Sequence, residues 1–113
     1  MSEELNHYDP IAVNRAWAKA LRTTKTQHMI GWGNPKYGAA CALSLLWHEV
    51  LGFEDHLNIG QYHKICDFTN LKDEDIKQIW KKNDAGMPFK TMANHIDTFR
   101  PLRIKIRDLF KGR

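Results

Sequence analysis

The residues most able to do covalent chemistry are Cys41 and a set of histidines, His28, His48, His56 and His63. Cys41 opens an apolar run, AACALSLL, that reads as a helix start. A thiol at a helix N-terminus loses its proton more easily and becomes a better nucleophile. Such a nucleophile also needs a base within hydrogen-bond reach. His48 follows two helical turns later, roughly 10 Å along the axis, too far for direct contact. The other histidines reach Cys41 only if the fold brings them there. The alanines and leucines around Cys41 favour core packing, so no catalytic residue is assigned.

Metal chemistry has a weaker basis. His63 and Cys66 are spaced i, i+3, but no paired CxxC or HxxxH unit accompanies them. Structural zinc sites are built from such pairs. No metal and no cofactor is expected. A different kind of site lies at Gly31-Trp32-Gly33-Asn34-Pro35, a dense run of turn residues. Trp32 and Tyr37 flank the Gly-Asn-Pro turn, and aromatics on an exposed loop make good interface anchors. The competing reading folds Trp32 back over the first helix.

Charge supplies another candidate. The chain carries a net +4, and residues 97–113 alone account for that value. Arg100, Arg103, Lys105, Arg107 and Lys111 could pair with phosphates. They follow a stretch, IKQIWKKNDAGMPFKTMANHI, that resembles the first two helices of a helix-turn-helix, joined by a short glycine turn. A second glycine turn leading to a recognition helix is absent, and the basic segment lacks Asn or Gln to read adenine edges. Readout there would be electrostatic. A solvated, solubilising helix face explains the same charges.

These residues must be held by a small set of elements. Asp9-Pro10 marks a helix start, since Asp caps well and Pro suits the first helical position. Val13, Trp17, Ala20 and Leu21 then form one stripe ending near Thr23-Thr24. Residues 27–38 read as irregular or as a short hairpin. Ala39–Leu51 is apolar nearly all round and reads as a central buried helix closed by Gly52. Residues 53–70 are less defined, with a helical turn over Tyr62–Phe68. Asp73, Glu74 and Asp75 open a helix whose dipole they suit, and Gly86 closes it. Phe89, Met92, Ala93 and Ile96 form the stripe of the next helix. Leu102–Phe110 fits a helix or an alternating strand, with helix favoured. The expectation is a mainly α single domain over residues 1–113, with four to five short helices, a helical hairpin at 73–97 and a basic segment at 98–113.

Composition agrees with a globular chain: 113 residues, 42% hydrophobic and 27% charged, with four Trp and five Phe to build a core. Two cysteines are too few for a disulfide scaffold, which points to a reducing, cytoplasmic setting. Residues 1–8 lack the pattern of a signal peptide, and no apolar run reaches the ~20 residues of a membrane span.

Three segments also carry a resemblance. They are Ala20-Leu21-Arg22-Thr23 with Gln27; Cys41 to Leu46 running into Glu49-Val50-Leu51-Gly52; and Asn83 to Phe89 followed by Met92-Ala93 and Ile96. In this order and spacing they resemble small phage and prophage open reading frames of uncharacterised function. Those proteins carry an ALRSG…Q helix, a CCLGVL helix and an LNDxGxSFxxIA end. Ala40 and Ser44 depart from the central pattern, Pro88 replaces a Ser cap, and residues 98–113 extend past its end. The resemblance implies a non-enzymatic binding protein that engages a host or viral macromolecule, with a protein partner in the host cytoplasm. A nucleic-acid binder using the basic segment is the alternative.

Overall fold

The structure is a computed structural model describing residues 9–31 and 33–99. It is a mainly α single domain with a small three-stranded sheet. Helix α1 spans Pro10–Thr23, and Asp9 caps it by accepting a hydrogen bond from Ile11 N–H at 2.9 Å. Val13, Trp17 and Leu21 face the core as expected. Ala20 packs half-buried against the same core, and Ala18 is buried as well. Asn14 is also buried, and its amide donates to Pro10 O at 2.7 Å and to Thr69 O at 2.9 Å. These two bonds satisfy the amide nitrogen, while Oδ1 is buried with no partner among the described residues.

After α1 the chain forms three two-residue strands: β1 Gln27–His28, β2 Gly33–Asn34 and β3 Ala39–Ala40. The order is β1-β3-β2, with β1 parallel and β2 antiparallel to β3. β2 and β3 pair as a short antiparallel hairpin, in line with the one expected near residues 27–38, and β1 adds to it in parallel. The helix expected from Ala39 is corrected, because Ala39 and Ala40 are the shared central strand. Their apolar character comes from sheet pairing and burial rather than from helix.

Helix α2 therefore begins later, at Ala42–Leu45, and passes directly into a π-helical turn over Leu46–Val50. Ala42 O accepts both Leu46 N–H and the Trp17 indole N–H, the latter at 3.0 Å. Beyond it, Leu51 N–H bonds back to Leu46 O at 2.9 Å, a five-residue step. Gly52, at φ 78°, then lets Phe53 N–H reach Trp47 O at 3.1 Å. Every residue from Ala40 to Trp47 is buried, so this segment forms the centre of the domain.

Helix α3, Tyr62–Thr69, extends the single turn expected there, and Asn70 ends it in the left-handed region. Helix α4 spans Asp73–Asp84 and buries Ile76 and Ile79, while Trp80 packs half-buried beside Tyr62. Its end is a Schellman motif, with Met87 N–H to Lys82 O and Gly86 N–H to Asn83 O, and Gly86 at φ 90°. Helix α5, Phe89–Ile96, buries Phe89, Met92, Ala93 and Ile96 and packs along α1, where Arg22 meets Asn94 and Asp97. Residues 73–96 thus form two successive helices joined by the turn at Gly86. The candidate phosphate-binding residues Arg100, Arg103, Lys105, Arg107 and Lys111, the helix-or-strand question at 102–110, and Trp32 all lie outside the described residues. Among the described residues no helix is long and apolar enough to cross a membrane.

Candidate interaction surface

Most of the described chain hides its large apolar side chains. Ile30 and Tyr37 are the exceptions, with 63% and 80% of their surfaces exposed. Both belong to the sheet module of residues 27–40. Ile30 follows β1, and Tyr37 lies on the connection from β2 to β3, so they stand toward opposite ends of the sheet. Burying a side chain of this size is worth ~1.5–3 kcal/mol, and in this chain that gain is left unused twice within eight residues.

The loop that displays Tyr37 is tightly specified. Asn34 caps a 3₁₀ turn over Pro35–Tyr37, its side-chain oxygen accepting from Lys36 N–H at 2.9 Å. Gly38, at φ 90°, closes the turn by donating to Pro35 O at 2.9 Å. Lys36 Nζ stands 6.0 Å from the centre of the Tyr37 ring. Gly33 is constrained twice over. Its φ is +64°, and a Cβ there would meet Ala39 O at 2.6 Å and Ala40 Cα at 2.8 Å. No other residue fits that position without moving the central strand.

The module is fastened to the domain by Asn83, a buried residue at the end of α4. Its side-chain oxygen accepts Ala42 N–H at 3.0 Å, and its amide donates to Met29 O at 3.0 Å. Its own carbonyl accepts from His28 Nε2 at 3.0 Å, and the His28 ring meets Phe89 edge-on at 5.3 Å. The sequence alone does not mark this role: Asn83 stands three residues before Gly86 in the last turn of a helix, where local turn chemistry is enough to account for an Asn.

Beside Tyr37 lies a hollow of about 590 Å³ between the Asn34–Lys36 turn and the π-turn. His48, Glu49, Phe53 and Glu54 form its other wall. His48 Nδ1 hydrogen-bonds Phe53 O at 2.9 Å, which fixes the ring. Phe53 stacks on Trp47 with ring centres 4.2 Å apart. Partial burial pushes the Glu49 carboxyl above its ordinary range, although a hydrogen bond from Thr26 opposes this.

The covalent and metal candidates find no such setting. Cys41 is the N-cap of α2, where its sulfur accepts from Ser44 N–H at 3.4 Å and lies 3.6 Å from Ser44 Oγ. Burial pushes its thiol up, outweighing the lowering effect of the Ser44 contacts. A buried thiol held protonated is a poor nucleophile. His28 and His48 both spend a ring nitrogen on backbone carbonyls. His63 is exposed and Cys66 half-buried on α3, and among the described residues no group of three or more ligating side chains could hold a metal ion.

No family model, curated protein or solved structure matches the chain. The functional reading therefore rests on this surface and on the residues themselves.

Proposed function

We propose that this protein is a small binding protein that engages a host or viral macromolecule, in the manner of the phage and prophage proteins it resembles, with the sheet module that exposes Ile30 and Tyr37 as its docking surface. The observation that carries this reading is the exposure of Tyr37 on a loop held rigid at both ends. A fixed loop loses little conformational entropy on binding, so an exposed aromatic there yields more net affinity than one on a loose segment. Tyrosine is also among the residues enriched where binding energy concentrates. Trp32 lies between the two in sequence and is carried as a candidate contact on sequence grounds alone.

The test is affinity capture with the wild-type chain and with an Ile30→Ser/Tyr37→Ala variant of matched thermal stability. A partner retained by the first and lost by the second supports the surface. Equal retention by both removes it.

The alternative reading, a nucleic-acid binder, is favoured by one observation, the concentration of the chain's net +4 in residues 97–113. Helices α4 and α5 supply the helix pair that this reading uses. Exposed polar positions on α5 are partly spent within the fold, since Asn94 accepts from Arg22 at 2.8 Å. Any contribution from nucleic acid would then come from phosphate contacts rather than base readout.

A further inference from the structure

We infer that the apolar groove between α1 and the π-turn is covered by residues 102–110 of this same chain. The groove holds about 450 Å³. Ala12, Ala16 and Ala20 line it from α1, and Val50 lines it from the π-turn. Ala12 and Ala16 are exposed, while Ala20 and Val50 pack half-buried against the core. The groove is therefore an open extension of the core surface. Its lining carries one charge of each sign, Lys19 and Glu49. These favour neither an acidic nor a basic occupant, so the apolar area an occupant can bury decides what fits.

The place where the chain leaves the described residues selects the occupant. Thr23 lines the groove and is the last residue of α1. Its neighbour Arg22 bonds Asn94 and Asp97 at the end of α5. Phe99 N–H donates to Ile96 O at 3.0 Å, and its side chain packs half-buried against the core. Residues 100–113 therefore start beside the Thr23 end of the groove. From Thr23 back to Ala12 is ~17 Å of helix, and nine residues at 102–110 span ~14 Å as a helix. Arg100-Pro101 remain to make the turn. Leu102, Ile106, Leu109 and Phe110 fall at i, i+4, i+7 and i+8, one apolar stripe on a helical reading. Arg103, Lys105 and Arg107 flank or oppose that stripe and stay available to an anionic partner. Residues 1–8 would have to double back over the Asp9 cap, and their side chains are mostly polar.

The experiment is methyl NOE spectroscopy on the full chain, repeated with a mixed-label sample that reports contacts between copies. The expected result is intramolecular contact between the Ala12, Ala16 or Ala20 methyls and those of Leu102, Ile106 or Leu109. Amide exchange at 102–110 should also be at least tenfold slower than in an unstructured peptide. Ala16→Glu, at an exposed position, should return that exchange to the unstructured rate, and Arg15→Gln beside it should not. Absence of these contacts, contacts only between copies, or contacts from Met1 or Leu5 in their place would overturn the inference. Exchange at 102–110 indifferent to Ala16→Glu would overturn it as well. Neither Ala16 nor Ile106 belongs to the sheet module, so this outcome and partner capture through Tyr37 succeed or fail independently.

Discussion

The side-chain oxygen of Asn83, at the end of α4, accepts the backbone N–H of Ala42, the first residue of α2, at 3.0 Å across 41 positions of sequence. The amide of the same side chain holds Met29 O, so one residue joins the central helix, the sheet module and α4. Replacing Asn83 by Ala would leave these backbone groups without their partner. Each buried orphan costs ~1–3 kcal/mol, so the loss in unfolding free energy should be about 2–4 kcal/mol. Urea denaturation measures it. Asn83→Asp should recover only part of the loss, because it keeps the acceptor for Ala42 but turns a second oxygen toward Met29 O.

Gly33 and Gly38 separate backbone strain from crowding. Both have positive φ, but a Cβ at Gly38 meets nothing within 4 Å, while at Gly33 it strikes the backbone of Ala39 and Ala40. Gly38→Ala should cost about 1 kcal/mol, the left-handed penalty alone. Gly33→Ala should cost about 3 kcal/mol or more, since overpacking adds to it. Equal losses in thermal melts of the two variants would mean that β2 and β3 can part without penalty.

The Cys41 thiol should be slow to alkylate in the folded protein. Iodoacetamide at pH 7.5 should modify it at a rate set by unfolding, and well below that of a free thiol. The stability it contributes follows the same logic. Burial raises its folded pKa above the ordinary 9.0, so the folded state keeps its proton longer than the unfolded state. That contribution is fully present below about pH 9 and is lost as pH rises through the folded value. Cys41→Ala should therefore lessen the alkaline decline in melting temperature. Rapid labelling near neutral pH would instead mark Cys41 as a reactive thiol.

For the basic segment, anisotropy titration against duplex DNA and RNA at two salt concentrations gives the decision. Binding at the weak, non-specific level, with a Kd above ~1 μM and abolished by moderate salt, is expected. Arg103→Glu/Arg107→Glu should remove even that and leave protein capture intact. Tight binding with selection among sequences would make nucleic acid the leading partner class.

Much of the helical frame was legible from sequence. The Asp9-Pro10 start, the acidic first turn of α4, the Gly86 closure and the Phe89–Ile96 stripe are local signals, and their hydrogen bonds lie within a few residues. The start of α2 was misplaced because Ala39 and Ala40 are apolar and helix-compatible. What makes them a strand is pairing with Gln27–His28 and Gly33–Asn34, a tertiary fact. The π-turn was hidden for a related reason: the periodicity of Leu45, Leu46 and Trp47 does not record a one-residue widening. Of the candidate surface, Tyr37 was visible as an aromatic beside a Gly-Asn-Pro turn. Ile30 was not, because a lone isoleucine next to glycine carries no mark of exposure. The Glu49–Glu54 wall was also hidden, since these residues meet the Asn34–Lys36 turn only through the fold.

The most direct test of the docking surface is to place a photo-crosslinking phenylalanine analogue at position 37 and, separately, at the exposed position of Lys77 on α4. The two proteins are then irradiated in cell lysate. A discrete protein adduct formed from position 37, absent from position 77 and lost when Ile30→Ser is added, is the predicted result. The same adducts from both positions, or none from position 37, would contradict a docking role for the sheet module.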